Sequence, residues 1–224
     1  MYIHERGFYI MESRMMKFYS KSSSRAAIHA IPGHFATSHS HINYYIDITS
    51  IKTRVQEAKE VANVLYNKVG HLSYTDTIVC MDGTAVIGAF LAAEFEGGAF
   101  SSTNLHETIY VVEPELNSNN QMIFRDNIKQ CIEGKHVLLL SATTTTGRTI
   151  RRSVEAIQYY GGMVEAVASV FSTVDGVDQI PISSVFTEED MPGYAAYDPA
   201  DCPFCAKGHR IEAMVNAFGY SQLL

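Results

Sequence analysis

The sequence predicts an α/β fold with a mainly parallel central sheet flanked by helices. Three observations predict it. Apolar runs recur at 77–81 (TIVCM), 108–112 (TIYVV), 136–140 (HVLLL), 164–171 (VEAVASVF) and 182–186 (ISSVF). The segments between several of them carry apolar residues at helical spacing, as in Lys52–Val69. Short turns rich in Gly, Thr and Asp follow the runs at 82–84 and 143–147. Strands buried on both faces read as nearly unbroken apolar runs, and their alternation with helices marks a parallel sheet. No internal repeat is visible.

Residues 1–31 read as an N-terminal arm, with five basic residues (Arg6, Arg14, Lys17, Lys21, Arg25) against two acids (Glu5, Glu12). Phe8, Met11, Met15, Phe18 and Tyr19 have helical spacing, which predicts a helix over about 9–20 ended by Ser22-Ser23-Ser24. Such an apolar face would dock on the body or on a second subunit. Residues 32–224 form the main domain. Ile42–Ile48 (INYYIDI) reads as a strand. In the helix over 52–69, Val55, Ala58, Val61, Ala62, Leu65 and Tyr66 share one face. The strand at 77–81 leads through Asp82-Gly83-Thr84 into the helical AVIGAFLAAEF. After the strand at 108–112 come a polar loop, EPELNSNN, and a predicted helix over 122–133. The strand at 136–140 passes through 143–147 into a helix over 149–160, stopped by Gly161-Gly162.

Composition bounds the function. The 224 residues carry a net charge of −7 with 46% hydrophobic and 18% charged residues. This balance disfavours a nucleic-acid or membrane-surface partner. No apolar run is long enough to span a bilayer, and the first residues lack a signal-peptide apolar core. The cysteines, Cys80, Cys131, Cys202 and Cys205, are too few for a disulfide framework in a chain this long, so a reduced, cytoplasmic protein is expected.

The chemically informative segment is HVLLLSATTTTGRTIRRSVEAIQYYGG. A buried strand enters a turn of hydroxyl residues and glycine that opens a helix. N–H groups at a helix start lack intrahelical acceptors and sit at the positive end of the dipole, which suits an anion. Thr143, Thr144, Thr145, Thr146, Gly147, Arg148 and Thr149 are the candidate phosphate-binding residues. The competing reading is a threonine-rich helix cap without a ligand.

At this point the chain resembles the type I phosphoribosyltransferases, whose phosphoribosyl-pyrophosphate (PRPP) loop has this strand–turn–helix pattern. More specifically it is similar to orotate phosphoribosyltransferases. HFATSHSHINYYID at 34–47 resembles the family's hood, and DTIVCMDGTAVIGAFLA at 76–92 its pyrophosphate loop. IYVVEPE at 109–115 falls where the mobile catalytic loop begins, and YDPADCPFCAKGH at 197–209 resembles the tail of some bacterial members. The resemblance spans about residues 33–210 and implies a small hood near 34–50 and a homodimer. It implies joining of a pyrimidine base to PRPP with release of pyrophosphate and use of Mg²⁺. His41 and Tyr45 would serve the hood and base, and Asp82, Gly83, Thr84 and Ala85 would flank pyrophosphate.

The departures matter more. Where the family carries two adjacent acids that bind the ribose hydroxyls, this chain has Ser141 and Ala142. Where its hood carries a basic residue, Ser40 stands. The loop after Val112 holds Glu113 and Glu115 but no Lys, Arg or His before Arg125. Pyrophosphate gains charge as it leaves, and removal of a single preorganised donor typically costs about 2.7–4 kcal/mol. The expectation is therefore a protein that binds a phosphorylated ribose or nucleotide and transfers phosphoribosyl groups poorly or not at all. The alternative is a non-catalytic, nucleotide-sensing or regulatory protein on the same fold. Arg148, Asp82 and Arg125 are the residues that could compensate. Asp82 has a second reading as a helix cap.

Cys202-Pro203-Phe204-Cys205 has the spacing of two zinc ligands, and His209 is the candidate third. A reduced structural turn and a redox pair are the other readings. His39 and His41 lie two apart and would share a strand face, toward a cleft or toward solvent. Charge is also uneven. Residues 125–152 carry six basic residues and two acids, whereas 183–201 carry five acids and no base. A small phosphate monoester suits this pattern better than highly charged PRPP.

Overall fold

The computed structural model describes residues 11–70, 74–97, 108–119 and 121–223. In chain order the strands are β1 (Met16–Ser20), β2 (Ser23–Ala36), β3 (His41–Asp47), β4 (Thr77–Cys80), β5 (Tyr110–Val112), β6 (Glu115–Leu116), β7 (Met122–Ile123), β8 (His136–Thr144), β9 (Met163–Ser172), β10 (Gly176–Val177), β11 (Ile180–Phe186), β12 (Ala196–Tyr197), β13 (Ala213–Asn216) and β14 (Gly219–Gln222). The helices are α1 (Thr49–Thr53), α2 (Val55–Val69), α3 (Ala85–Gly97), α4 (Asp126–Lys129), α5 (Arg148–Tyr159) and α6 (Pro203–Ala206). The chain divides into two compact units, Met1–Thr49 with Glu188–Leu224, and Ser50–Thr187.

The central unit, Ser50–Thr187, has the expected parallel sheet. Its order is β10-β11-β9-β8-β4-β5; all neighbours are parallel except β10 on β11. The apolar runs explain this. Val79, Val137, Leu139 and Val167 point to one face, where they pack with Ile150, Val154 and Ile157 of α5. Alternate residues Ile78, Leu138 and Leu140 are equally buried on the other face, where α2 and α3 pack on each other and on the sheet. The expected helix over 122–133 is largely absent. Met122–Ile123 pairs antiparallel with Glu115–Leu116, and only Asp126–Lys129 is helical. Pairing with β6 holds the start of that segment extended.

The other unit is one six-stranded sheet, order β12-β3-β2-β13-β14 with β1 also paired to β2. Its core includes Ile28, Ile31, Phe35, Ile42, Tyr45 and Ala213. The helix expected over about 9–20 is corrected here: Met16–Ser20 is a strand that forms a hairpin with β2. Tertiary pairing overrides the helical spacing of its apolar residues. Phe8 lies outside the described residues. Residues 16–31, read from the sequence as part of an arm, contribute β1 and most of β2.

Candidate functional site

Within the central unit, β8 carries the informative segment to the carboxyl end of the sheet. Thr143 and Thr144 are its last residues, 145–147 form the turn, and α5 begins at Arg148. Gly147 has φ 69°, and a Cβ there would stand 2.5 Å from Val177 Cγ2, so both backbone and space require glycine. The first intrahelical bond runs from Arg151 N–H to Gly147 C=O. The N–H groups of Arg148, Thr149 and Ile150 therefore precede the helical ladder. Thr173 donates from N–H to Thr144 C=O and from its hydroxyl to Thr145 C=O, which fixes the turn's carbonyls against the end of β9. Thr143, Thr146, Arg148 and Thr149 are exposed and Thr145 is half-buried. Thr144 differs: its hydroxyl is buried 3.3 Å from Ser169 Oγ, turned into the sheet. Arg151 is committed to a two-pronged pair with Asp178.

Ser141 and Ala142 are 2% and 0% exposed. The nearby acid is Asp82, at the end of the adjacent strand β4. Its Oδ2 lies 3.3 Å from Ser141 Oγ and 3.5 Å from Ala142 N. Asp82 has φ 60°, and Lys52 Nζ donates to its backbone carbonyl. Burial pushes the Asp82 carboxyl above the ordinary range, against the opposing pull of Ala142 N–H, Ser141 and Lys52. The capping alternative is corrected: Thr84, not Asp82, gives α3 its first bond, from Gly88 N–H to Thr84 C=O. The Thr84 hydroxyl donates back to Met81 C=O at 2.7 Å and is fully buried.

The acidic loop folds into the β6–β7 hairpin. Arg125 is held there by both carboxylate oxygens of Glu115, at 2.8 and 2.7 Å. Of the three residues named as compensating, Arg125 is thus tied to that hairpin, Asp82 faces Ser141 and Ala142, and Arg148 stands exposed at the start of α5. A Mg²⁺ ion usually takes one or two carboxylates together with substrate phosphates. Ser141 and Ala142 offer none, and the partly buried Asp82 reaches Ser141 and the Ala142 N–H from the neighbouring strand. The Ser141–Ala142 pair by itself does not fit a Mg²⁺ ion held by the chain.

The second candidate site lies wholly in the unit of residues 1–49 and 188–224. Four potential ligand atoms, from His34, His41, Cys202 and Cys205, lie within 4.8 Å of one another. His34 Nε2 is 3.2 Å from His41 Nδ1, 3.4 Å from Cys202 Sγ and 3.7 Å from Cys205 Sγ. Cys205 Sγ is 3.3 Å from His41 Nδ1. Partial burial and the neighbouring His34 hold the His41 imidazole below its ordinary pKa. The cysteine pair is therefore joined by His34 and His41, and the sequence candidate His209 is replaced. His209 contributes its backbone carbonyl, which accepts from His34 Nδ1 at 3.1 Å. His209 is also the residue whose ring meets Phe204 edge-on, while Phe204 stacks on His34.

Two hood expectations change accordingly. His41 faces Cys205 and His34. Tyr45 is 6% exposed, packed against Phe35 and Tyr220. Burial raises its hydroxyl pKa, so it is a core side chain. His39 does not share a strand face with His41, because it is exposed in the Thr37–Ser40 turn, where Thr37 N–H donates to Ser40 C=O. His34 carries no such mark in the sequence. A lone histidine before an aromatic residue gives no signal until the hairpin and the C-terminal segment meet.

No family model matches the chain. The orotate phosphoribosyltransferase of Thermotoga maritima is 34% identical over 77 residues, which is 34% of this chain and 39% of that protein. That of Caldicellulosiruptor bescii is 31% identical over 78 residues, again 34% and 39%. The chain thus matches about 39% of the length of these relatives. The solved orotate phosphoribosyltransferase from Aeropyrum pernix aligns with a TM-score of 0.51 at 17% identity, over 71% of this chain and 88% of that one. The Mycobacterium tuberculosis enzyme in complex with Fe(III) dicitrate gives 0.50 at 17% identity, over 73% and 91%. Identity this low speaks for the fold alone, and that fold is the type I phosphoribosyltransferase fold. Over about a third of its length the sequence is similar to orotate phosphoribosyltransferases. Among the described residues, no helix is long and apolar enough to cross a membrane.

Proposed function

We propose that this chain binds the phosphate of a ribose 5-phosphate or nucleotide at the 143–149 turn, and that it transfers phosphoribosyl groups from PRPP to a pyrimidine base poorly or not at all. One observation carries the reading. The turn presents exposed hydroxyls and helix-start N–H groups, while the two preceding positions, Ser141 and Ala142, are buried and carry no carboxylate. Recognition of a monoester needs only the former. Stabilising charge at the sugar and on departing pyrophosphate needs acids and cations that the described residues of this unit do not concentrate there. Glu115 occupies Arg125, and Asp178 occupies Arg151.

The second reading keeps catalysis. It rests on Asp82, whose carboxylate reaches Ser141 from the neighbouring strand and could replace the missing acids. Against this, Asp82 is one carboxylate where the family likeness implies an adjacent pair, and it reaches only Ser141 and the Ala142 N–H. Calorimetric titration with uridine monophosphate, ribose 5-phosphate and PRPP, each with and without Mg²⁺, separates the two. The first reading predicts binding of the monophosphates and no Mg²⁺-dependent gain for PRPP. Tighter, Mg²⁺-dependent PRPP binding would favour the second. A homodimer is proposed from the same family likeness; sedimentation at several concentrations tests it.

A further inference from the structure

We propose that His34, His41, Cys202 and Cys205 form a closed, four-ligand zinc site that fastens the C-terminal segment to the β2–β3 hairpin.

The first argument is metric. With Zn–S about 2.3 Å and Zn–N about 2.0–2.1 Å, tetrahedral angles require edges of about 3.3 Å for N···N, about 3.6 Å for N···S and about 3.8 Å for S···S. The observed edges are 3.2 Å for N···N and 3.3, 3.4 and 3.7 Å for N···S. These four of the six edges are close to the required size, and all four atoms lie within 4.8 Å of one another. Two thiolates and two imidazoles also select zinc by softness and geometry, and two thiolates neutralise its charge.

The second argument is the support around the ligands. His34 Nδ1–H donates to the carbonyls of His209 and Arg210, at 3.1 and 3.2 Å. In the neutral ring this leaves Nε2 as a lone pair aimed into the cluster, the orientation that metal-bound histidines generally receive from their outer partners. A β-bulge sets the direction of that ring. Pro32 pairs with Tyr44 and Phe35 with Ile42, so Gly33 and His34 together oppose one residue of β3. Gly33 is required, since a Cβ there would fall 2.6 Å from Glu212 Oε1 and 2.7 Å from the Phe35 ring. That same Glu212 oxygen accepts His34 N–H, and Glu212 N–H donates to His34 C=O. Cys202 precedes and Cys205 lies within the single turn α6, three residues apart, which brings both sulfurs to His34. Cys202 is buried and Cys205 exposed, so the site has a protein wall and an open approach for the metal.

Four protein ligands leave no position for substrate, so the role is structural. Zinc would bind together residues as far apart in the chain as 34 and 205.

The test uses the full chain, purified under reductant without added metal or chelator. Elemental analysis is expected to give one zinc per chain, with iron and copper below a tenth of that. Zinc-edge absorption should show two sulfurs at about 2.3 Å and two nitrogens at about 2.0–2.1 Å. His34→Ala and Cys205→Ser should lower zinc at least tenfold, whereas His209→Ala, which keeps its backbone carbonyl, should retain it. A metal-free chain, a Cys202–Cys205 disulfide, or a first shell other than two sulfurs and two nitrogens would overturn the proposal. So would retention of zinc by both ligand variants. If those variants do not fold, the absorption spectrum of the unaltered chain still decides.

Discussion

The His34–His41–Cys202–Cys205 cluster and the 143–149 turn treat their polar atoms in opposite ways. In the cluster, four potential ligand atoms gather within 4.8 Å of one another, and hydrogen bonds that His34 donates to His209, Arg210 and Glu212 hold its end there. In the turn, hydroxyls stand exposed to solvent beside the helix-start N–H groups, and the adjoining strand positions are apolar or neutral. The first set encloses a single ion. The second offers donors to an anion that arrives from solvent and brings its own charge. The contrast shows why metal binding is proposed complete in one unit, while only phosphate recognition is proposed in the other.

That contrast can be broken most sharply by restoring acids to the central unit. Ser141→Glu with Ala142→Asp introduces two carboxylates at positions 2% and 0% exposed, beside Asp82. An uncompensated buried charge costs about 3–5 kcal/mol, so urea unfolding should show a loss of that order. Unchanged stability together with Mg²⁺-dependent PRPP binding would mean that only this pair was lost. Next in size is zinc withdrawal. Chelation under reductant should cost the chain about 3 kcal/mol, a fall of roughly 6–12 °C in calorimetric midpoint, reversed by added zinc. An identical midpoint in both states would remove the structural role.

Smaller effects sharpen the picture of the turn. Gly147→Ala places a side chain at φ 69° against Val177. It should cost about 1–3 kcal/mol and weaken uridine monophosphate binding in the same titration. Asp82→Asn should raise stability slightly at neutral pH. The folded carboxyl lies above its ordinary value of about 3.9, so folding is penalised once the unfolded chain has released that proton. The penalty grows as pH rises through the raised folded value and disappears below the ordinary range. The gain from Asn should therefore vanish in acid, as measured by unfolding midpoints between those limits. A gain independent of pH would assign the effect to something other than ionisation.

The two sites were also unequally legible in the sequence. The strand–turn–helix around Gly147 is local: one buried run, one obligatory glycine and one helix start occupy consecutive residues. The cysteine spacing was local too, and it pointed to a metal. Its partners were not, because His34 and Cys205 are 171 residues apart and a bulge at Gly33–His34 aims the ring. Spacing therefore favoured His209, which is close in sequence but acts through its carbonyl. The same limit explains β1, whose helical periodicity yields to pairing with β2, and Tyr45, whose aromatic character marks core packing here rather than a ligand contact.

The central claim is that the phosphate cradle persists without the transfer machinery. Its most direct test is orotate-dependent consumption of PRPP, measured with Mg²⁺ at high protein concentration. The preparation should first be shown to bind uridine monophosphate, so that silence cannot be blamed on a misfolded chain. The account predicts nucleotide binding and no release of pyrophosphate above background. Pyrophosphate release that depends on both orotate and protein would contradict it.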